Sequence, residues 1–311
     1  MHIHRSLTFL LTALAVLTLQ GCSLSSHPVA SPAMGKPSGS AEMERLLDQP
    51  GPIEFAAIDS AHWAVTLAGL LNLKSDAAIQ AGLKDRDEPI QIYAHLLKHP
   101  RYGNILVDTG VSRKVAADPG KEGIDWMIQK VMRLDKLEIR KSSSEIVQEA
   151  NGYISGVFFT HLHLDHILGL PDIADQVPLY IGQTESSESS FKNLFVRGTT
   201  DHLLKDKQPL QEWRFQRDPQ GKFEGIIDAF GDGSLFVLSV PGHSPGSVAF
   251  LVRTTRGPVL LTGDACITQW GWEHTVEPGD FTADHARNLK NLQNMKQLVA
   301  NHPQIEVYLG H

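Results

Sequence analysis

The 311-residue sequence predicts an α/β layered sandwich of the α+β kind rather than a doubly wound parallel sheet. Two observations lead there. Strand-like segments fall in two β-rich halves, each carrying helical segments of its own, and a polar, helix-like insertion after Thr184 separates them. No internal repeat relates the halves. With 41% hydrophobic and 20% charged residues, the chain has material for one large core.

Taken in order, His2, His4 and Arg5 precede an apolar stretch from Leu7 to Leu19, too short for a comfortable membrane span but suited to an export signal. Leu19-Gln20-Gly21-Cys22 follows and resembles the lipobox of bacterial lipoproteins, although Gln20 is not the small residue usual there. The resemblance implies a signal peptide over 1–21 and a lipid on Cys22. The chain is then expected to be exported and anchored in the cell envelope facing the periplasm, with Ser23 favouring the outer over the inner membrane. Only Cys266 remains beyond Cys22, so no intrachain disulfide forms in the processed chain. Ser, Pro, Gly and Ala dominate residues 22–39, predicting a flexible tether. The folded domain is expected over 40–311, with Ser40 capping a short helix through Leu47.

Strands are predicted at 53–58, 90–97 and 104–108, the last running into Thr109-Gly110. Ile124, Met127, Ile128, Val131 and Leu134 recur at helical spacing and are read as core-facing. A second helix spans 144–150, stopped by Asn151-Gly152, before a strand at 154–160. Beyond the 184–206 insertion come strands at 210–215, 226–230, 234–240, 248–253 and 259–262. Gly231-Asp232-Gly233 and Thr255-Arg256-Gly257 read as hairpin turns. A helix over 284–300 and a strand over 306–309 close the sequence.

Chemistry concentrates in Thr160-His161-Leu162-His163-Leu164-Asp165-His166, directly after an apolar strand. In an extended segment alternate residues share a side, so His161, His163 and Asp165 converge while Leu162 and Leu164 face the core, and His166 opens a helix. Imidazole and carboxylate donors suit zinc first, and also manganese, iron or cobalt. The formal net charge of −7 offers no basic field for phosphate backbones, so no nucleic-acid partner is expected and the substrate is a small molecule. Oligomeric state is not readable.

The segment resembles the HxHxDH signature of the metallo-β-lactamase superfamily, and further segments are similar in the family's order. These are Asn104 to Gly110, Pro241-Gly242-His243-Ser244-Pro245-Gly246-Ser247, Leu260-Leu261-Thr262-Gly263-Asp264 and Leu309-Gly310-His311. The resemblance implies an αβ/βα four-layer sandwich and two divalent metal ions. His161, His163 and His243 would hold one metal, Asp165, His166 and His311 the other, and Asp264 would bridge them. A hydroxide between the metals would attack a lactone or ester carbonyl, with Asp165 passing a proton to the leaving group. Asp165 and Asp264 are thus the expected catalytic carboxylates.

His163 stands where oxygen-reducing relatives carry Glu, and Asp264 where the commonest true β-lactamases carry Cys. Long intervals, the insertion and export look most like the N-acyl-homoserine lactonase and methyl-parathion-hydrolase-like branch. Ile267 departs from it, standing where the lactonases carry a Tyr that helps hold the substrate carbonyl. The alternatives are a phosphotriesterase, a thioesterase, and a metal- or ligand-binding lipoprotein without turnover. Trp270 and Trp272 are pocket walls or ordinary packing, and Cys266 is read as an inert buried thiol. Histidines outside these motifs, among them His62, His95, His202 and His285, are read as structural or exposed. With His311 last, nothing follows to pin the closing strand, so either the sequence continues or the site is open at that edge.

Overall fold

The computed structural model describes residues 23–187 and 193–311. The expected signal segment and Cys22 lie outside the described residues, as does part of the insertion. Fourteen strands among the described residues form two sheets. The first, in spatial order, comprises β1 (Val29–Ala30), β9 (Leu210–Glu212), β8 (Leu179–Ile181), β7 (Gly156–Phe158), β5 (Gly103–Val107), β4 (Asp87–His99), β3 (Glu54–Thr66) and β6 (Glu138–Ile139). The second comprises β14 (Glu306–Tyr308), β13 (Gly257–Leu261), β12 (Val248–Thr254), β11 (Leu235–Ser239), β10 (Ile226–Asp228) and β2 (Lys36–Ser38).

Alternation within the central strands stacks the layers. Ile105 and Val107 of β5, Phe158 of β7 and Phe250 and Val252 of β12 fill the space between the sheets. Leu106, Val157 and Phe159 point the other way, into a core shared with helices, and Ala249 and Leu251 face a third core. Strands buried on both faces read as continuous apolar runs, as Val248–Thr254 does.

Ten helices among the described residues matter below. They are α1 (Ser40–Arg45), α2 (Leu67–Leu70), α3 (Asp76–Gln80), α4 (Arg113–Ala117), α5 (Trp126–Met132), α6 (Ser143–Glu149), α7 (Leu164–Ile167), α8 (Asn193–Leu204), α9 (Gln269–His274) and α10 (His285–Asn301). Residues before and within α5, α6 and α8 cover the outer face of the first sheet, while Met43 of α1 and Met295 and Leu298 of α10 cover that of the second. The result is the expected four-layer αβ/βα sandwich. No helix among the described residues is long and apolar enough to cross a membrane.

Three expectations need correction. Residues 24–39 are not a loose tether. Leu24 is buried, Ser25 and Ser26 hydrogen-bond Asp201, β1 pairs with β9, and β2 pairs with β10. Edge pairing satisfies backbone groups without needing apolar side chains, so composition alone misleads there. Gly39, not Ser40, occupies the cap position of α1, and Ser40 is buried against Asp218. The helical spacing after Ile124 is real, but α5 buries Ile128 while Met127 and Val131 face outward. Elsewhere the predicted elements are present with shifted ends, β3 running to Thr66 rather than residue 58.

Candidate metal centre

β7 ends at Phe158 and delivers Thr160 to His163 in extended form between the two sheets. Helix α7 begins at Leu164, two residues before His166, so Asp165 already lies on a helical turn. That turn swings Asp165 away from His161 and His163, with which simple alternation had grouped it. Leu162 and Leu164 are buried in the core as predicted.

The structure brings all seven predicted residues together in two groups. His161, His163 and His243 present donor atoms within 4.8 Å of one another, and so do Asp165, His166, Asp264 and His311. Asp264 lies between the groups. Its Oδ2 is 3.5 Å from His243 Nε2 and 3.9 Å from His161 Nε2, while its Oδ1 is 3.4 Å from His166 Nε2 and 3.7 Å from His311 Nε2. Asp165 Oδ2 reaches His311 Nε2 at 3.2 Å. His161 Nε2, His166 Nε2 and Asp264 Oδ1 are buried with no hydrogen-bond partner. Three orphaned polar atoms aimed at one another are costly unless a shared cation satisfies them. The donor set therefore fits divalent ions: His161, His163 and His243 would hold one and Asp165, His166 and His311 another, with Asp264 between the two groups.

The outer ring nitrogens hold the tautomers. His166 Nδ1 lies 2.8 Å from Asp108 Oδ2, His311 Nδ1 lies 2.8 Å from the Gln91 carbonyl, and His161 Nδ1 lies 3.2 Å from Thr160 Oγ1. A proton donated outward leaves Nε2 free for metal. Asp108 also accepts from the Thr160 N–H and hydroxyl, tying the β5 end to the ligand loop. Glu185, buried, accepts from the Leu162 N–H, the Ser244 hydroxyl and the Gly246 N–H, clamping the two ligand loops together. In the sequence Asp108 stands within a motif that shows no sign of this task, and no sequence signal marks Glu185.

His311 is not frayed. Its N–H donates to Ile267 O, β14 pairs with β13, and its side chain is 3% exposed. The His311 ring is therefore held in place. His95 is buried among Phe55, Tyr93 and Tyr308, and burial pushes its pKa down to about 4. His62 pairs with Asp59, His202 packs against Gly123, and His285 lies 3.4 Å from Glu277. Cys266 is buried and burial pushes its thiol up to about 12, which leaves it inert at neutral pH.

Burial, then the neighbouring rings, holds His161 well below the usual histidine range, and burial takes His243 down to about 3. His166 is opposite in sign. Burial works against its charged form, but Asp108, Asp165 and Asp264 outweigh it and raise the pKa well above normal. Asp264 raises His311 in the same way against the effect of burial. Burial opposes ionisation of Asp165 too, yet His166 and His311 bring its carboxyl down to about 2.

A family model for the metallo-beta-lactamase superfamily matches residues 87–311, which include every one of these ligands. The chain belongs to that superfamily. It is thus a metal-dependent hydrolase. It is 30% identical over 229 residues to N-acyl homoserine lactonase AttM of Azorhizobium caulinodans, covering 72% of this chain and 83% of that protein. To the AttM lactonase of Agrobacterium fabrum it is 29% identical over 232 residues, with the same coverage. Among solved structures it resembles a quorum-quenching N-acyl homoserine lactone lactonase, with a TM-score of 0.56 and 18% identity over 85% of this chain and 93% of that one. It also resembles AidC, a dizinc quorum-quenching lactonase, with a TM-score of 0.54 and 15% identity over 85% of this chain and 88% of that one. These structural likenesses support the four-layer superfamily fold.

A cleft of about 280 Å³ opens beside His311. Its walls include Leu67, Leu70, Leu71, Leu83, Ile90 and Trp270, with Arg86 and Glu88 also lining it. Trp270 is thereby a wall of the cleft, whereas Trp272 packs against the core under α10. Ile267 is buried and brings no hydroxyl to the place where a phenol was missed.

Proposed function

We propose that this superfamily member is a dinuclear lactonase that opens lactones carrying an apolar substituent, and that it works outside the cytoplasm on a lipid anchor at Cys22. The carrying observation is the pairing of a two-group ligand cage with a leucine- and tryptophan-walled cleft that meets it at His311. An apolar wall with a few convergent polar groups is the common form of a small-molecule site, and about 280 Å³ is close to the lower end of such sites, roughly 300 Å³. The names of the sequence relatives support a lactone as the electrophile.

Bound at the cage, two divalent ions would acidify water and polarise a carbonyl. The remaining work falls to the chain. Asp264 spans the two groups and fixes their separation. Asp165 is an ionised carboxylate with its side chain 20% exposed, so it can face the reacting atoms. In this reading it takes the proton that water gives up as the new C–O bond forms, and returns it to the alkoxide oxygen as the ring C–O bond breaks. The product is the open hydroxy acid. Leu70, Leu71 and Trp270 exclude water from the substituent and orient the ring.

The test is turnover by the full chain loaded with zinc or manganese on matched lactones, carboxyl esters, thioesters and phosphotriesters. Lactones with an apolar substituent should be the best substrates, and Asp165→Asn should lower kcat by about 100-fold or more. Preferred hydrolysis of phosphotriesters or thioesters would replace the lactonase reading, and metal binding without turnover would favour a binding lipoprotein.

A further inference from the structure

Helix α5 buries Ile128 but turns Trp126 and Val131 outward, 71% and 74% exposed, with Met127 half-exposed beside them. Exposed aromatic and branched side chains concentrated on one helix need a partner surface. A neighbouring helix adds to the face. On α8, the Thr199 hydroxyl donates to the Gly123 carbonyl and His202 packs against Gly123, just before α5. Phe195, exposed, lies one turn before Thr199 on the same side of α8. Lys130 and Lys136 flank the apolar groups in solvent, together with Asp135.

The place where the chain enters the fold identifies the partner. Ser25 and Ser26 hydrogen-bond Asp201 of α8, six residues or about 9 Å along the helix from Phe195. Trp126 is three residues from Gly123, within about 11 Å. The segment preceding Ser23 carries the apolar run Leu7 to Leu19 and Cys22. Entry point and exposed residues therefore both border α8, in the outer layer opposite α10.

We propose that Trp126, Met127, Val131 and Phe195 form a membrane-docking face that rests in the interfacial layer of the bilayer holding the N-terminal segment. The proposal rests on the anchored reading given above. Trp and Phe favour the headgroup boundary, and lysines beside them suit anionic lipid. Docking this face also sets the orientation of the cleft. Arg133, the residue closing α5, forms a bidentate pair with Asp87 at 2.5 and 2.7 Å, and Asp87 lies between the cleft residues Arg86 and Glu88. The cleft would then open near the lipid surface, where apolar substrates concentrate.

The experiment uses the full chain reconstituted into vesicles of phosphatidylethanolamine and phosphatidylglycerol. Single nitroxide labels are placed through Met127→Cys, Val131→Cys, Phe195→Cys and, as the control on α10, Lys290→Cys, with the unsubstituted chain as the labelling baseline. Co-flotation reports anchoring, and relaxation by oxygen and by a water-soluble nickel chelate reports the surroundings of each label. The expected result is flotation, with oxygen accessibility raised and nickel accessibility lowered at 127, 131 and 195 relative to 290. Flotation with all four labels equally open to nickel overturns the docking face while leaving the anchor standing. Absence of flotation overturns both. Dipolar broadening between labels on different copies, with no gain in oxygen accessibility, would assign the face to a second copy and overturn the membrane assignment.

Discussion

Asp108 touches no expected metal position, yet it accepts from His166, from the Thr160 N–H and from the Thr160 hydroxyl. An asparagine there keeps the shape but cannot accept all three. Asp108→Asn is expected to weaken retention of the ion held by His166 by about 10- to 100-fold, with the far-ultraviolet spectrum unchanged, as read by metal titration. The same two groups of ligands differ in proton content. In the metal-free chain His161 and His243 are already neutral, whereas the raised pKa values of His166 and His311 keep protons that an ion must displace. Raising the pH removes that competition. Affinity at the Asp165, His166 and His311 group should therefore climb more steeply between about pH 6 and pH 8 than at the three-histidine group. Calorimetry in buffers of different ionisation heat would reveal this, and equal proton release from both groups would refute it.

At the scale of elements, helix α10 locks the loop that carries His243. The Asp284 N–H donates to Gly242 O, the Asn291 amide to Pro241 O, and the Asn288 amide to Ala265 O beside Asp264. Gly242, at φ +150°, lies so close that an added Cβ would stand 2.4 Å from the Asn288 backbone nitrogen. Gly242→Ala must separate helix from loop. It should lower stability by about 1–3 kcal/mol and reduce the metal held with His243, checked by thermal unfolding and metal content. Such a contact between residues far apart in sequence is invisible to periodicity. The central strands were legible as short continuous apolar runs because each is flanked by apolar layers on both faces, as Ile105, Leu106 and Val107 illustrate. The outward face of α5 was not, because spacing gives the helix but not which stripe packs when Met127 and Val131 are as apolar as Ile124 and Ile128.

Across the whole molecule the ligands sit at strand ends between the two sheets, with β7 leading into the first loop, β13 into Asp264 and β14 into His311. Chain order therefore revealed the cage, since the ligand segments at 161–166, 243, 264 and 311 each begin within a few residues of a strand end. The clamp by Glu185 was not legible, because its partners Leu162, Ser244 and Gly246 meet it only after both sheets have closed. Likewise β1 and β2 gain their order from the edges of opposite sheets, a relation that the composition of residues 24–39 does not record. In the proposed lactonase the closed sandwich would build one cage, with Asp264 between the two ligand groups and neither group acting alone.

The most direct measurement counts bound metal by mass spectrometry in the full chain and in Asp264→Ala, alongside lactone turnover on the same samples. Two ions per chain are expected, with chelation that abolishes turnover and a variant that loses both tight binding and at least about 100-fold in rate. A single ion in the unsubstituted chain with full activity, or an Asp264→Ala variant that keeps two tight ions and its rate, would contradict that expectation.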